Sequence, residues 1–213
     1  MWNPNWLRPS PIIDHIKNQY RTGLRPDGCL GYHGTSIQTL QNVLETGVVP
    51  GVTGKENPTR FNRPHNGDLY FWPSDYEELD QNAIALAASY ATAIAQSHAL
   101  LQLLKLDATH DTYARAARNI LRDSPEFQNE YMEMLGVSLD PSALQEYMRQ
   151  AMQYKGVVIG INSYAQLKYH VVDVEPDDDG CRLETNGEGL PYHFIHGIEA
   201  MGPMEREFLD TLA

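Results

Sequence analysis

Apolar and polar positions alternate along the chain in short blocks, each with a recognisable period. Ser10-Pro11 opens a helix carrying Ile12, Ile13 and Ile16, with proline in its first turn and Gly23 at its end. Asp27-Gly28 turns the chain into an apolar run, Cys29 to Tyr32. A second helix follows Ser36, whose hydroxyl can cap it; Ile37, Leu40, Val43 and Leu44 fall on one face. Val48 to Asn66 has no period, and a loop that long in a compact domain is usually functional or disordered. Gly67 to Trp72 reads as a strand ended by Pro73. From Glu77 to about Ala99 runs an alanine-rich helix, with Ile84, Ala87, Ala88, Ala91, Ile94 and Ala95 at helical spacing, which permits close backbone packing.

The short apolar run Leu100 to Leu106 reads as a buried strand. Asp107 to Tyr154 reads as wholly helical, with starts at Pro125 and Pro141 behind the caps Ser124 and Asp140. Further strands are predicted at Gly156 to Ile161, Leu167 to Val174, Cys181 to Asn186 and Phe194 to Met201. Asp173 to Asp179 is an acidic turn ending in Gly180, Pro191 starts a short turn, and Gly202-Pro203 begins a terminal helix to Leu212. The pattern predicts one mixed α/β domain over residues 1–213. Residues 1–27 form an arm, packed down by Trp2 and Trp6, and a helix; residues 107–154 form a helical insertion.

Composition narrows the function classes. The 213 residues, 42% of them hydrophobic, suffice for one sizeable core. A formal net charge of −12 argues against general capture of nucleic acid, which needs a basic face. The most basic stretch is Lys55 to His65, with Lys55, Arg60, Arg63 and His65. Two cysteines, Cys29 and Cys181, make no disulfide framework and point to a reduced compartment. No run approaches the ~20 apolar residues that span a membrane, and the N-terminus lacks a signal layout. The expectation is a soluble protein, cytoplasmic or delivered into a target cell's cytoplasm, with no membrane partner. No metal is expected: His193 and His196 lack a third ligand nearby, and the acidic run fails the calcium-loop spacing.

The candidate chemistry centres on Gly31-Tyr32-His33-Gly34-Thr35-Ser36, where a strand gives way to a helix. Glycine there lets a ligand approach the main chain, and amides beside a helix start suit a polar or anionic ligand. Tyr32-His33-Gly34-Thr35, then Gly67-Asp68-Leu69-Tyr70-Phe71, then Ala87-Ala88-Ser89-Tyr90, resembles the ADP-ribosyltransferases of the diphtheria-toxin and poly(ADP-ribose) polymerase type. The likeness covers Gly31 to Tyr90 firmly and Leu183 to Glu199 loosely; residues 107–154 have no counterpart in it.

The resemblance implies an α+β fold in which two small, mainly antiparallel sheets form a cleft for NAD, the substrate that donates ADP-ribose. His33 would hydrogen-bond a ribose hydroxyl. Gly34, beside Thr35, would hold the nicotinamide carboxamide through main-chain N–H and C=O. Tyr70 and Tyr90 would sandwich the nicotinamide ring, by stacking and cation–π attraction. The family often carries serine three positions before the second tyrosine; here that position is Ala87. A glutamate on a late strand would stabilise the oxocarbenium-like sugar formed as nicotinamide leaves. Strand alternation puts Arg182, Glu184 and Asn186 on one face and Cys181, Leu183 and Thr185 on the other, which makes Glu184 the candidate and Glu188 the alternative. Arg60 and Arg63 are candidates for the pyrophosphate.

The function so implied is transfer of ADP-ribose from NAD to an unidentified acceptor with release of nicotinamide, with transfer of single units the safer expectation. Many compact bacterial toxins and effectors of this type act so; for a bacterial or phage toxin an antitoxin or immunity protein would be the expected partner. Three alternatives stay open: a non-catalytic NAD or ADP-ribose binding module, an RNA 2′-phosphotransferase-like enzyme, which would want several cleft arginines, and a protein-interaction module with a vestigial cleft.

Overall fold

The computed structural model describes residues 10–51, 68–75, 77–78, 81–107, 111–173 and 180–212. The expected arm (residues 1–9), most of the long loop with Arg60 and Arg63, and most of the acidic turn (residues 174–179) lie outside them. The elements in chain order are α1 (Pro11–Thr22), β1 (Cys29–Thr35), α2 (Ile37–Thr46), β2 (Val48–Val49), β3 (Leu69–Pro73), β4 (Glu77–Glu78) and β5 (Gln81–Asn82). Then come α3 (Ala83–Leu103), α4 (Asp111–Arg122), α5 (Pro125–Met134), α6 (Pro141–Ala151), β6 (Val157–Asn162), α7 (Ala165–Lys168), β7 (His170–Asp173), β8 (Cys181–Glu184), β9 (Leu190–Pro191), β10 (Ile195–Ala200) and α8 (Pro203–Leu212).

The fold is mixed α+β around a six-stranded sheet in the order β10-β6-β1-β3-β8-β7, with every pairing antiparallel. β2 pairs with β9 and β4 with β5 as two-stranded ribbons. β1 runs alongside β6 for most of its length but meets β3 at only two positions, Gly31 opposite Pro73 and Tyr32 opposite Trp72. The sheet is thus two three-stranded halves joined at one narrow seam. This corrects the expectation of two separate sheets. The seam closes because Gly31 lacks a side chain: a Cβ there would overlap Trp72 O and Phe71 Cδ2.

One face of the sheet buries Leu69, Phe71, Ile159, Ile161 and Leu183 against α1, α2 and α8. The other face receives α3, whose Ala83, Ala87 and Ala91 pack with Tyr32 and Val158. The C-terminal half of α3 joins α4, α5 and α6 in a second core containing Leu100, Leu101, Ala117, Ile120, Met132, Leu144 and Met148. Among the described residues after 107 the helices α4, α5 and α6 occupy most of 111–151, and Leu100 to Leu106 is no strand. α3 runs on to Leu103, because helical spacing turns Leu100, Leu101 and Leu104 into the second core. α3 also starts later than predicted. Asn82 Oδ1 accepts from Ala85 N–H and caps it, while Glu77–Glu78 and Gln81–Asn82 pair as the small ribbon. The predicted strand Leu167 to Val174 begins inside α7, with Leu167 exposed, and continues as β7 to Asp173, Val174 lying outside the described residues. Ser36 and Asp140 cap their helices through side-chain acceptors; Ser10 and Ser124 make no such bond.

Among the described residues one helix, α3, is long and apolar enough to cross a membrane, with a mean hydropathy of 1.3. Its packing against β1 on one half and α4 and α6 on the other is that of a core helix.

The last helix is tied to the sheet by a buried acid. Glu205 is fully buried, and its Oε1 accepts from the N–H groups of Lys155 and Gly156, each at 2.9 Å. Glu205→Ala strands both amides and is expected to cost about 3 kcal/mol, with Glu205→Gln, which keeps one acceptor, costing less. Urea unfolding checks this; equal midpoints for Glu205→Ala and wild type would contradict it.

Candidate functional site

The seam between the sheet halves opens immediately past Tyr32 and Trp72. Ser74 N–H donates to Leu30 O at 3.2 Å, so Leu30 turns its main-chain groups toward β3. Alternation gives Tyr32 and Gly34 the same direction and points those of Gly31, His33 and Thr35 at β6. Continued pairing would set Gly34 against Tyr70, but the ladder has stopped. Tyr70 O instead accepts from His33 Nδ1, at 2.6 Å. A side chain therefore bridges the gap where backbone pairing fails, and the amide edge of Gly34 faces that gap.

The bond fixes the state of His33. A carbonyl only accepts, so Nδ1 carries the proton, and Nε2 of the neutral ring is left as an acceptor. Burial pushes the His33 pKa down to about 4, opposed by the bond to Tyr70. His98 is also held down to about 4, by burial and then by the charge of Arg118. His98 Nδ1 lies 2.8 Å from Ser36 Oγ. That pair is a poor nucleophile and base, because Ser36 is fully buried and its hydroxyl caps α2 through Thr39 N–H.

Unfolded histidine titrates near 6.5 and these two near 4, so between those values the unfolded state binds more protons. Their contribution to stability is complete above about pH 6.5 and is lost as the pH falls toward about 4, on the order of 3 kcal/mol for His33. The urea midpoint should fall between about pH 7 and about pH 4.5, and fall less for His33→Asn. Equal drops for the two proteins would contradict the assignment.

Gly34 is closed on its other side by α3. A Cβ there would overlap Ala87 O and lie 2.6 Å from Ala91 N, so only glycine lets α3 lie this close. The same helix carries Tyr90, whose ring meets Trp72 edge-on, centroids 5.8 Å apart at 62°. The register of β3 on β8 sets Tyr70 opposite Arg182, and that of β7 on β8 sets His170 opposite Glu184. Period two then puts Tyr70, Arg182, Glu184 and His170 on the α3 side of the sheet, away from the core residues Leu69, Phe71 and Leu183. Burial raises the Tyr70 hydroxyl pKa; Arg182, bonded to that hydroxyl, lowers it, and Asp68 and Tyr90 lie close enough to push it up. Arg182 Nε is 3.2 Å from Asp68 Oδ2, and its Nη2 donates to Glu184 Oε1 at 2.7 Å.

Tyr70, Arg182, Glu184 and His170 therefore share the α3 face of the sheet, with Tyr90 of α3 close to Tyr70, whereas His33, paired with the core residue Ile159, reaches Tyr70 O from the opposite face. Thr35 ends β1 opposite Val157 and is buried there. Glu188 sits exposed in the turn after β8, its N–H donating to Thr185 O and its charge near Lys168. Arg182, Asp68 and Trp72 join the cluster without having been singled out as functional. The signal was present for Arg182, which the alternation of β8 places beside Glu184. Asp68 and Trp72 need the β3 register. The chain matches no model of a known protein family, no curated protein and no solved structure.

Proposed function

We propose that this chain is an NAD-dependent ADP-ribosyltransferase that moves single ADP-ribose units to an acceptor and releases nicotinamide. The observation that supports the reading is the gap past Tyr32 and Trp72: the amide edge of Gly34 faces it, His33 bonds Tyr70 O across it, and Tyr70 lies close to Tyr90 and opposite Arg182, which holds Glu184. A carboxamide is at once donor and acceptor, and the N–H and C=O of one residue match it. Tyr70 and Tyr90 supply two faces for a flat pyridinium. His33 Nε2 accepts from a ribose hydroxyl. Glu184 Oε1 is held by Arg182, and Oε2 remains to accept from the ribose 2′-hydroxyl.

In this reading the bond between ribose C1′ and the nicotinamide nitrogen breaks and its electron pair leaves with neutral nicotinamide. Positive charge develops on C1′ and the ring oxygen, where the Glu184 carboxylate stabilises it. The acceptor's lone pair then bonds to C1′, and its proton passes to Glu184 or to water. The acceptor is a side chain, a nucleic-acid group or a small molecule. The net charge of −12 favours the first and last.

Binding tests the ring contacts. Tyr70→Ala and Tyr90→Ala should each weaken NAD about 10-fold in calorimetry and weaken ADP-ribose, which lacks the pyridinium, far less. Equal losses for the two ligands would contradict the sandwich. A second reading, binding without turnover, is favoured by one observation, the ion pair that already engages Glu184. NAD that binds and stays intact with lysate present would establish it.

A further inference from the structure

We infer that Arg182 is a positioning residue for Glu184, acting as one unit with Asp68; the inference rests on the transferase reading above. Asp68 lies one position beyond the Leu69–Leu183 pair, so the register carries it toward Glu184 on the neighbouring strand, on the same face. Two carboxylates so placed repel. Arg182, two residues before Glu184, lies between them with Nε 3.2 Å from Asp68 Oδ2 and Nη2 2.7 Å from Glu184 Oε1. Its side chain is 11% exposed and that of Asp68 7%, whereas that of Glu184 is 38% exposed. The chain of contacts thus runs from a buried anchor to a half-open working carboxylate.

The guanidinium directs one hydrogen bond, from Nη2, at Glu184 while its Nε lies in ion-pair contact with Asp68, an arrangement that the point charge of a lysine does not reproduce. The fork takes one oxygen of Glu184 and sets the direction of the other. It also bonds the Tyr70 hydroxyl, so the ring that stacks nicotinamide and the carboxylate that faces the ribose are held by one group. One cation between two carboxylates leaves the trio with a net charge of −1, which disfavours a role for Arg182 as an anchor for the pyrophosphate. Arg182 therefore acts on the chemical step through Glu184 and contributes little to NAD affinity.

The experiment measures nicotinamide release against NAD concentration, together with calorimetric NAD binding, for wild type, Arg182→Lys and the double variant Asp68→Asn/Arg182→Met. Arg182→Met alone leaves Asp68 buried without its cation and risks unfolding; the double variant removes both charges together. Positioning predicts that kcat falls about 10-fold in Arg182→Lys and about 100-fold in the double variant, with the Kd for NAD within about 3-fold of wild type. A raised KM and Kd with kcat unchanged would overturn the proposal and make Arg182 a ligand of NAD. An unchanged kcat in the double variant would overturn it as well. Wild type that binds NAD but releases no nicotinamide, alone or with lysate, sinks the transferase reading, and this role with it. Release by wild type with kcat insensitive to the variants sinks the positioning role alone.

Discussion

If the chain is the proposed transferase, Glu184→Gln is expected to lower nicotinamide release from NAD at least about 100-fold and to leave NAD binding nearly unchanged. In the proposed reaction the change removes the negative charge that would face the developing oxocarbenium but keeps the side chain's volume and one acceptor oxygen. Glu184 Oε1 accepts from Arg182 Nη2, and a glutamine oxygen can keep that bond, so the fold should tolerate the substitution. Glu188→Gln is the control. That residue sits in an exposed turn near Lys168, and its loss should change the rate by no more than about 3-fold. Release that survives Glu184→Gln and fails in Glu188→Gln would transfer the role to the turn.

Gly34→Ala should abolish NAD binding and destabilise the protein by about 3 kcal/mol or more. The added Cβ meets Ala87 O and Ala91 N, which are backbone atoms and cannot move aside by changing a rotamer. Relief requires α3 to withdraw from β1. That movement carries Tyr90 away from Tyr70 and disturbs Tyr32 and Val158, which pack with the same alanines. Urea unfolding and calorimetry report the two effects separately. A variant within about 0.5 kcal/mol of wild type that still binds NAD would show that α3 is not seated on Gly34 as described.

The sequence made some of this architecture legible and hid the rest for physical reasons. Cap, proline and period signals located the helices α1, α2, α5, α6 and α8, while short apolar runs located β1 and β6, which are buried along nearly their whole length, and alternation located β8. Leu100 to Leu106 misled because a short run of leucines suits a buried strand and a buried helix end equally. Only the second core, built from the insertion, decides it. The join between the sheet halves was hidden as well, since it depends on two contacts that no local pattern encodes. For the proposed site, the family resemblance pointed to His33, Gly34, Tyr70, Tyr90 and Glu184. The bond from His33 to Tyr70 O, which sets the tautomer, and the Asp68–Arg182–Glu184 chain emerge only when β1, β3 and β8 are aligned.

The most direct test of the central claim is chromatography of NAD incubated with the wild-type protein, with and without cell lysate. The account predicts nicotinamide accumulating as NAD disappears, with the matching ADP-ribose recovered on an acceptor when lysate is present and in water otherwise. NAD that remains intact under both conditions, with no binding detected by calorimetry, would contradict it.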